Sequence, residues 1–181
     1  MGKGDKMLKQ IRTYIFSVLI IIFFLSIYPF YHTNNLYGND KESIIKVIHS
    51  IEGYKNRSID ILGIKDYNDM RMVGFLSDNE PGCATFVKEK WGQYRWLDIE
   101  VKQGETFALF YRPISVNNKK VMIVTNSENK IAKMRVNLNG KGLEAAFTPQ
   151  KPGVIWLDLP QTYDFIDTEY YDQDGKLIQT D

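Results

Sequence analysis

An α+β to mainly β fold behind an N-terminal transmembrane helix is the class this chain predicts, and three observations predict it. An 18-residue run without a charged side chain lies near the start. One stretch after it has apolar residues at helical spacing. The rest is a succession of short apolar runs separated by Gly, Pro, Asn and Asp.

The uncharged run is Tyr14 to Tyr31, YIFSVLIIIFFLSIYPFY. At about 1.5 Å per residue it covers roughly 27 Å, close to the hydrocarbon thickness of a bilayer. A helix on a soluble domain would carry a polar face within that length, and this one has none. Tyr14 at one end and Tyr28 and Tyr31 at the other suit the aromatic belts of a membrane, and Pro29 sits where a helix can stop. Lys3, Lys6, Lys9 and Arg12 precede the run, and the next basic residue is Lys41. The positive-inside rule therefore puts residues 1–13 in the cytoplasm and the domain that follows the run outside the cell membrane. A cleaved signal peptide is the competing reading. It would show small residues at a cleavage site, whereas Tyr28-Pro29-Phe30-Tyr31-His32 follows the apolar stretch.

Residues 32–39 (HTNNLYGN) read as a polar linker. A helix is expected over Asp40–Glu52. Asn39 would be its N-cap with Glu42 completing a capping box, Ile44, Ile48 and Ile51 would form its apolar face, and Gly53 would stop it. Strands follow at Ser58–Lys65, Met70–Leu76, Cys83–Lys90 and Gln93–Val101. The expected turns are Tyr67-Asn68-Asp69, the loop Asp78–Gly82 with Pro-Gly chemistry, and Trp91-Gly92. These make an α+β lobe, 40–103, of one helix and two hairpins. After Gln103-Gly104-Glu105 come Thr106–Arg112, Lys120–Thr125, Ile131–Leu138, Leu143–Phe147, Val154–Leu159, Tyr163–Tyr171 and Lys176–Gln179. Short strands so spaced predict a β-sandwich-like lobe over 104–181. The two lobes are small enough to share one core. Eleven Tyr, ten Phe and three Trp favour strands, where wide rings pack on a pleated surface.

Composition excludes some functions. The net charge is +1, but residues 1–13 carry +3 and the rest −2, so the outer part has no electrostatic footprint for nucleic acid. One cysteine, Cys83, permits no internal disulfide, and the hydrophobic core must supply the stability.

The chemistry-bearing residues read mostly as structure. His32 and His49 have no second His or Cys at metal-ligand spacing, so no metal site is assigned. Cys83 lacks an accompanying Cys-His arrangement and reads as a small buried residue. Asp172-Gln173-Asp174-Gly175 looks like the opening of a calcium loop, but a hairpin turn explains it. Asp98 with Glu100, and Asp167 with Glu169, share strand faces and could be glycosidase machinery, although two acids on the solvent side of a strand are commoner. Trp91, Tyr94, Trp96 and Trp156 are the candidate ligand platform for a sugar or peptide, set against their reading as core aromatics. No catalytic residue and no cofactor is assigned.

The anchor together with ILGIKDYNDMRMVGFLSDNEPG (Ile61–Gly82), MIVTNSENKIAKMRV (Met122–Val136) and YYDQDGKLI (Tyr170–Ile178) resembles uncharacterised single-span extracytoplasmic proteins of Bacillus-type bacteria. The resemblance implies localisation and architecture and transfers no site residue. The expected function is a membrane-tethered, non-enzymatic binding or interaction module whose partner is a protein or the cell wall. The alternatives are a cell-wall hydrolase acting on glycan and an accessory or sensor subunit of another membrane protein. For the last, Ser17 and Ser26 lie too far apart to make a small-xxx-small packing motif.

Overall fold

A computed structural model describes residues 16, 18, 20–22, 36–115, 118–138, 141–159 and 166–178. Most of the expected transmembrane run, the tail 1–13 and linker residues 32–35 lie outside the described residues. Among the described residues no helix is long and apolar enough to cross a membrane. Residues 37–181 form one compact unit whose regular structure is mostly antiparallel strands.

Helix α1 spans Lys41–Ser50. Its N-cap is Asp40, one residue later than expected. Asp40 Oδ1 accepts from Ser43 N, and Ser43 Oγ accepts from Asp40 N, so Ser43 completes the capping box that Glu42 was expected to complete. Asn39 is diverted elsewhere, its Oδ1 accepting from Tyr94 N. The helix ends at Ile51 rather than running to Glu52. Ile44, Val47 and Ile48 are fully buried.

Among the described residues eleven strands follow: β1 (Ile59–Tyr67), β2 (Met70–Ser77), β3 (Glu80–Lys88), β4 (Tyr94–Val101), β5 (Phe107–Ser115), β6 (Asn118–Thr125), β7 (Lys133–Leu138), β8 (Lys141–Ala146), β9 (Gly153–Asp158), β10 (Ile166–Tyr171) and β11 (Leu177–Ile178). They form three sheets, in the orders β1-β2-β3-β4, β5-β6-β9 and β11-β10-β7-β8. The two expected N-terminal hairpins are one continuous meander.

The β2–β3 turn differs from expectation. It is Asp78-Asn79, with φ of 51° and 69°, the left-handed pair that a two-residue hairpin requires. Pro81 and Gly82 lie within β3 instead. Gly82 is there because the Phe75 ring covers it: a Cβ would stand 2.6 Å from Phe75 Cζ.

The sheets stack with the second in the middle. Met72, Leu76 and Cys83 of the first sheet pack on Ala108, Phe110, Met122 and Val124 of the second. This core spans the boundary near residue 103. A Cβ on Gly74 would lie 2.8 Å from Val154 Cγ2 and 3.1 Å from Met122 Sδ, so glycine sets how closely the two sheets approach. The opposite face of the second sheet, Val121 and Ile123 with Phe107, Leu109, Ile155 and Leu157, packs on Met134, Val136 and Leu138 of β7 and Ala145 of β8. Burial on both faces explains why β6 reads as an unbroken apolar run, Val-Met-Ile-Val, rather than an alternating one.

Candidate functional site

The β4 side of the first sheet carries two exposed tryptophans, Trp91 and Trp96, beside a cluster of charged contacts. Its geometry begins with a hairpin. The two-residue turn Asn68-Asp69 pairs Tyr67 with Met70 and Asp66 with Arg71. Arg71 Nε and Nη2 donate to the two Asp66 oxygens at 2.7 and 2.8 Å, a bidentate pair. Arg71 Nη1 donates to the carbonyls of Gly38 and Asn39 at 2.9 and 2.7 Å. Tyr94 OH donates to Asp66 Oδ2 at 3.0 Å, and the Arg71 guanidinium lies 3.8 Å from the Tyr94 ring centroid. The hydrogen bond from Arg71, followed by that from Tyr94, holds the Asp66 carboxyl below its usual range despite some burial.

This cluster clasps the entering chain. Gly38 N donates to Tyr94 O at 2.7 Å, Tyr94 N donates to Asn39 Oδ1 at 2.9 Å, and Tyr37 makes an antiparallel bridge with Arg95. The Phe86 ring fills the space that a side chain at position 38 would need. Residues 37–39 thus cover the first part of the β4 edge.

Beyond the clasp, β4 carries a bulge. Trp96 pairs with Phe86 and Asp98 with Thr85, leaving Leu97 as an extra residue. Arg95, Trp96, Leu97 and Asp98 are consequently all exposed. Trp91, on the β3–β4 turn, is exposed as well, and Gly92 there has φ of 79°.

The four platform residues have different surroundings. Tyr94 is buried beneath Arg71. Trp156 lies between the first and second sheets, edge-on to Tyr67 with ring centroids 6.3 Å apart. Lys65 Nζ stands over both rings, and Lys120 Nζ stands 5.4 Å from the Tyr67 centroid while bonding Asp158 at 2.5 Å. Burial holds the Tyr67 phenol above its ordinary range. Trp91 and Trp96 remain at the exposed β4 edge.

Of the two carboxylate pairs, Asp98, Glu100 and Glu169 lie against cations. Arg112 Nη2, reaching from β5, donates to Asp98 Oδ2 at 2.7 Å and Glu100 Oε2 at 3.0 Å. Hydrogen bonds from Lys102 and then Arg112 keep the Glu100 carboxyl below its usual range, the opposite of what a general acid needs. Glu169 accepts from Tyr171 OH at 2.6 Å and lies 3.7 Å from Arg135, which also pairs with Glu144 across the register. Asp167 is exposed on the same strand.

The remaining candidates are structural. Cys83 is fully buried, and burial pushes its thiol up to about 12. His49 Nε2 shares a hydrogen bond with the Arg57 carbonyl at 3.0 Å. His32 lies outside the described residues. Asp172 Oδ1 accepts from the backbone N–H groups of Asp174 and Lys176, closing the β10–β11 turn. Among the described residues no three His, Cys, Asp or Glu side chains converge on a metal position. A shallow hollow lined by Thr106, Ser127, Glu128, Lys130, Ile131 and Gln150 contains a single carboxylate, which accepts from Asn79 Nδ2.

Sequence reasoning missed Arg71 and Arg112. The first had a readable signal, since a two-residue Asn68-Asp69 turn places Asp66 opposite Arg71. Arg112 had none, because its partners lie in another sheet. Comparison of the chain with family models, curated proteins and solved structures finds no match.

Proposed function

We propose that this chain is a single-span membrane protein whose extracytoplasmic β-domain binds a partner without catalysing a reaction. The observation that carries the non-catalytic half is the fate of the acids. Asp98 and Glu100 share one guanidinium, and Glu169 is held by Tyr171 and Arg135. A glycosidase needs two carboxyl groups flanking a groove, one of them kept protonated by its surroundings. A Glu100 carboxyl pulled below its usual range by two cations works against that role.

The anchor reading rests on the uncharged run behind a basic tail. Phe16, Val18, Ile20, Ile21 and Ile22, the described part of that run, are helical and exposed. At about 100° per residue these five positions point in several directions rather than along one stripe, a pattern suited to contact with lipid. The clasp at residues 37–39 supports a tether, since it fixes the first described residues of the domain where the chain enters.

The test is the purified full chain in mild detergent, incubated with cell-wall glycan. The expected result is no release of new reducing ends. Release that Glu100→Gln abolishes would make the protein a hydrolase.

A further inference from the structure

Trp91 is 90% exposed, Trp96 41% and Leu97 53%, all within seven residues of one strand edge. Isolated exposed apolar residues are ordinary, but two tryptophans and a leucine exposed within seven residues of one hairpin make an apolar patch the natural reading of this edge. The position of the patch indicates its occupant. Tyr37 bridges Arg95, the residue before Trp96, and Arg71 and Tyr94 pin Gly38 and Asn39 beside it. The entering chain is thus fixed against the same edge. Tyr31, the last residue of the uncharged run, precedes Tyr37 by six residues. Six residues reach at most about 20 Å even when fully extended. A bilayer entered at Tyr31 is therefore within reach of the patch.

The chemistry fits that surface. Tryptophan prefers the headgroup layer, where its ring is buried and its N–H stays wet. Lys88 and Lys90 precede Trp91, and the Glu89 carboxylate is paired with Arg95 at 2.7 Å. Asp69, on the adjacent turn whose carbonyl accepts from Lys88 N, offsets part of this charge, so the aromatic rings carry the recognition.

We propose that the Trp91–Leu97 edge of β4 seats in the outer headgroup layer of the bilayer that the anchor enters. The domain is then held in one orientation instead of swinging on its tether, and its far sheets face the partner. This rests on the anchor reading.

The experiment uses the full chain in vesicles of phosphatidylcholine and phosphatidylglycerol, with Trp96→Phe and Trp156→Phe leaving Trp91 as the sole tryptophan. Bromine on the lipid acyl chains just below the headgroups should quench and blue-shift Trp91 emission, and aqueous acrylamide should quench it weakly. The wild-type chain should lose much of its bromolipid quenching on Trp91→Ser, a check that does not depend on the double variant folding. A protein that stays with the vesicles through an alkaline wash but whose Trp91 answers only to acrylamide would overturn the proposal and leave the anchor standing. A blue shift that ignores bromine and grows with protein density would assign the patch to a second copy and also overturn it. A protein that the alkaline wash removes would overturn the anchor, and this inference with it.

Discussion

Replacing Arg71 by methionine keeps the packing of its stem and removes its charge. The side chain is 12% exposed, and its guanidinium makes four hydrogen bonds and one ring contact. Asp66 is 42% exposed and can rehydrate once its partner is gone, so the ion pair itself is worth only about 0–1 kcal/mol. The bonds to the Gly38 and Asn39 carbonyls contribute about 1.5–3 kcal/mol together, since both come from a charged donor. The contact with the Tyr94 ring adds about 0.5–1 kcal/mol. The expected loss is about 2–5 kcal/mol, read as a lower urea midpoint by tryptophan fluorescence of the full chain in detergent. Cleavage near residues 36–40 by an added protease should accelerate. The variant should also change the pH dependence. The folded Asp66 carboxyl lies below its ordinary value of 3.8, so its contribution is present above that value and lost as pH falls through the folded one. Without Arg71 the acid-side loss should shrink. A midpoint shift equivalent to less than about 0.5 kcal/mol, with unchanged cleavage, would refute the clasp.

Other outcomes follow from the core. Phe110→Ala should cost about 3–5 kcal/mol in urea unfolding, because its ring is buried between the first and second sheets. Gly74→Ala should cost about 1–3 kcal/mol, since the new methyl would press Val154 and Met122, and Val154→Ala should recover part of it. Cys83 should resist a thiol reagent at pH 8 in the folded chain and react fully after denaturation, burial having raised its thiol to about 12.

The strands were legible because their signals are local. Alternation, unbroken apolar runs and turn residues marked all eleven to within a few residues. Asp40 displaced Asn39 as N-cap because Asn39 is occupied by a residue 55 positions away, at Tyr94 N. Pro81-Gly82 read as a turn because those residues usually make one, but here Phe75 from the neighbouring strand demands the glycine. Sheet order was illegible for a similar reason. β9 pairs with β6 and β10 with β7 across intervening elements, and no local pattern encodes a partner that far away. At the candidate site, the expected strand Gln93–Val101 carries both Tyr94 and Trp96, but Arg71 covers one ring and the bulge beside Trp96 leaves the other exposed.

The proposed tether holds the domain outside the membrane, and topology tests that most directly. With a tag on the C-terminus, cells stripped of their wall are treated with protease and then fractionated. The proposed tether predicts a full-length chain in the membrane fraction before treatment and loss of the tagged domain when protease is added outside. A membrane-bound chain whose tag survives intact until the cells are lysed would place the domain inside and contradict it.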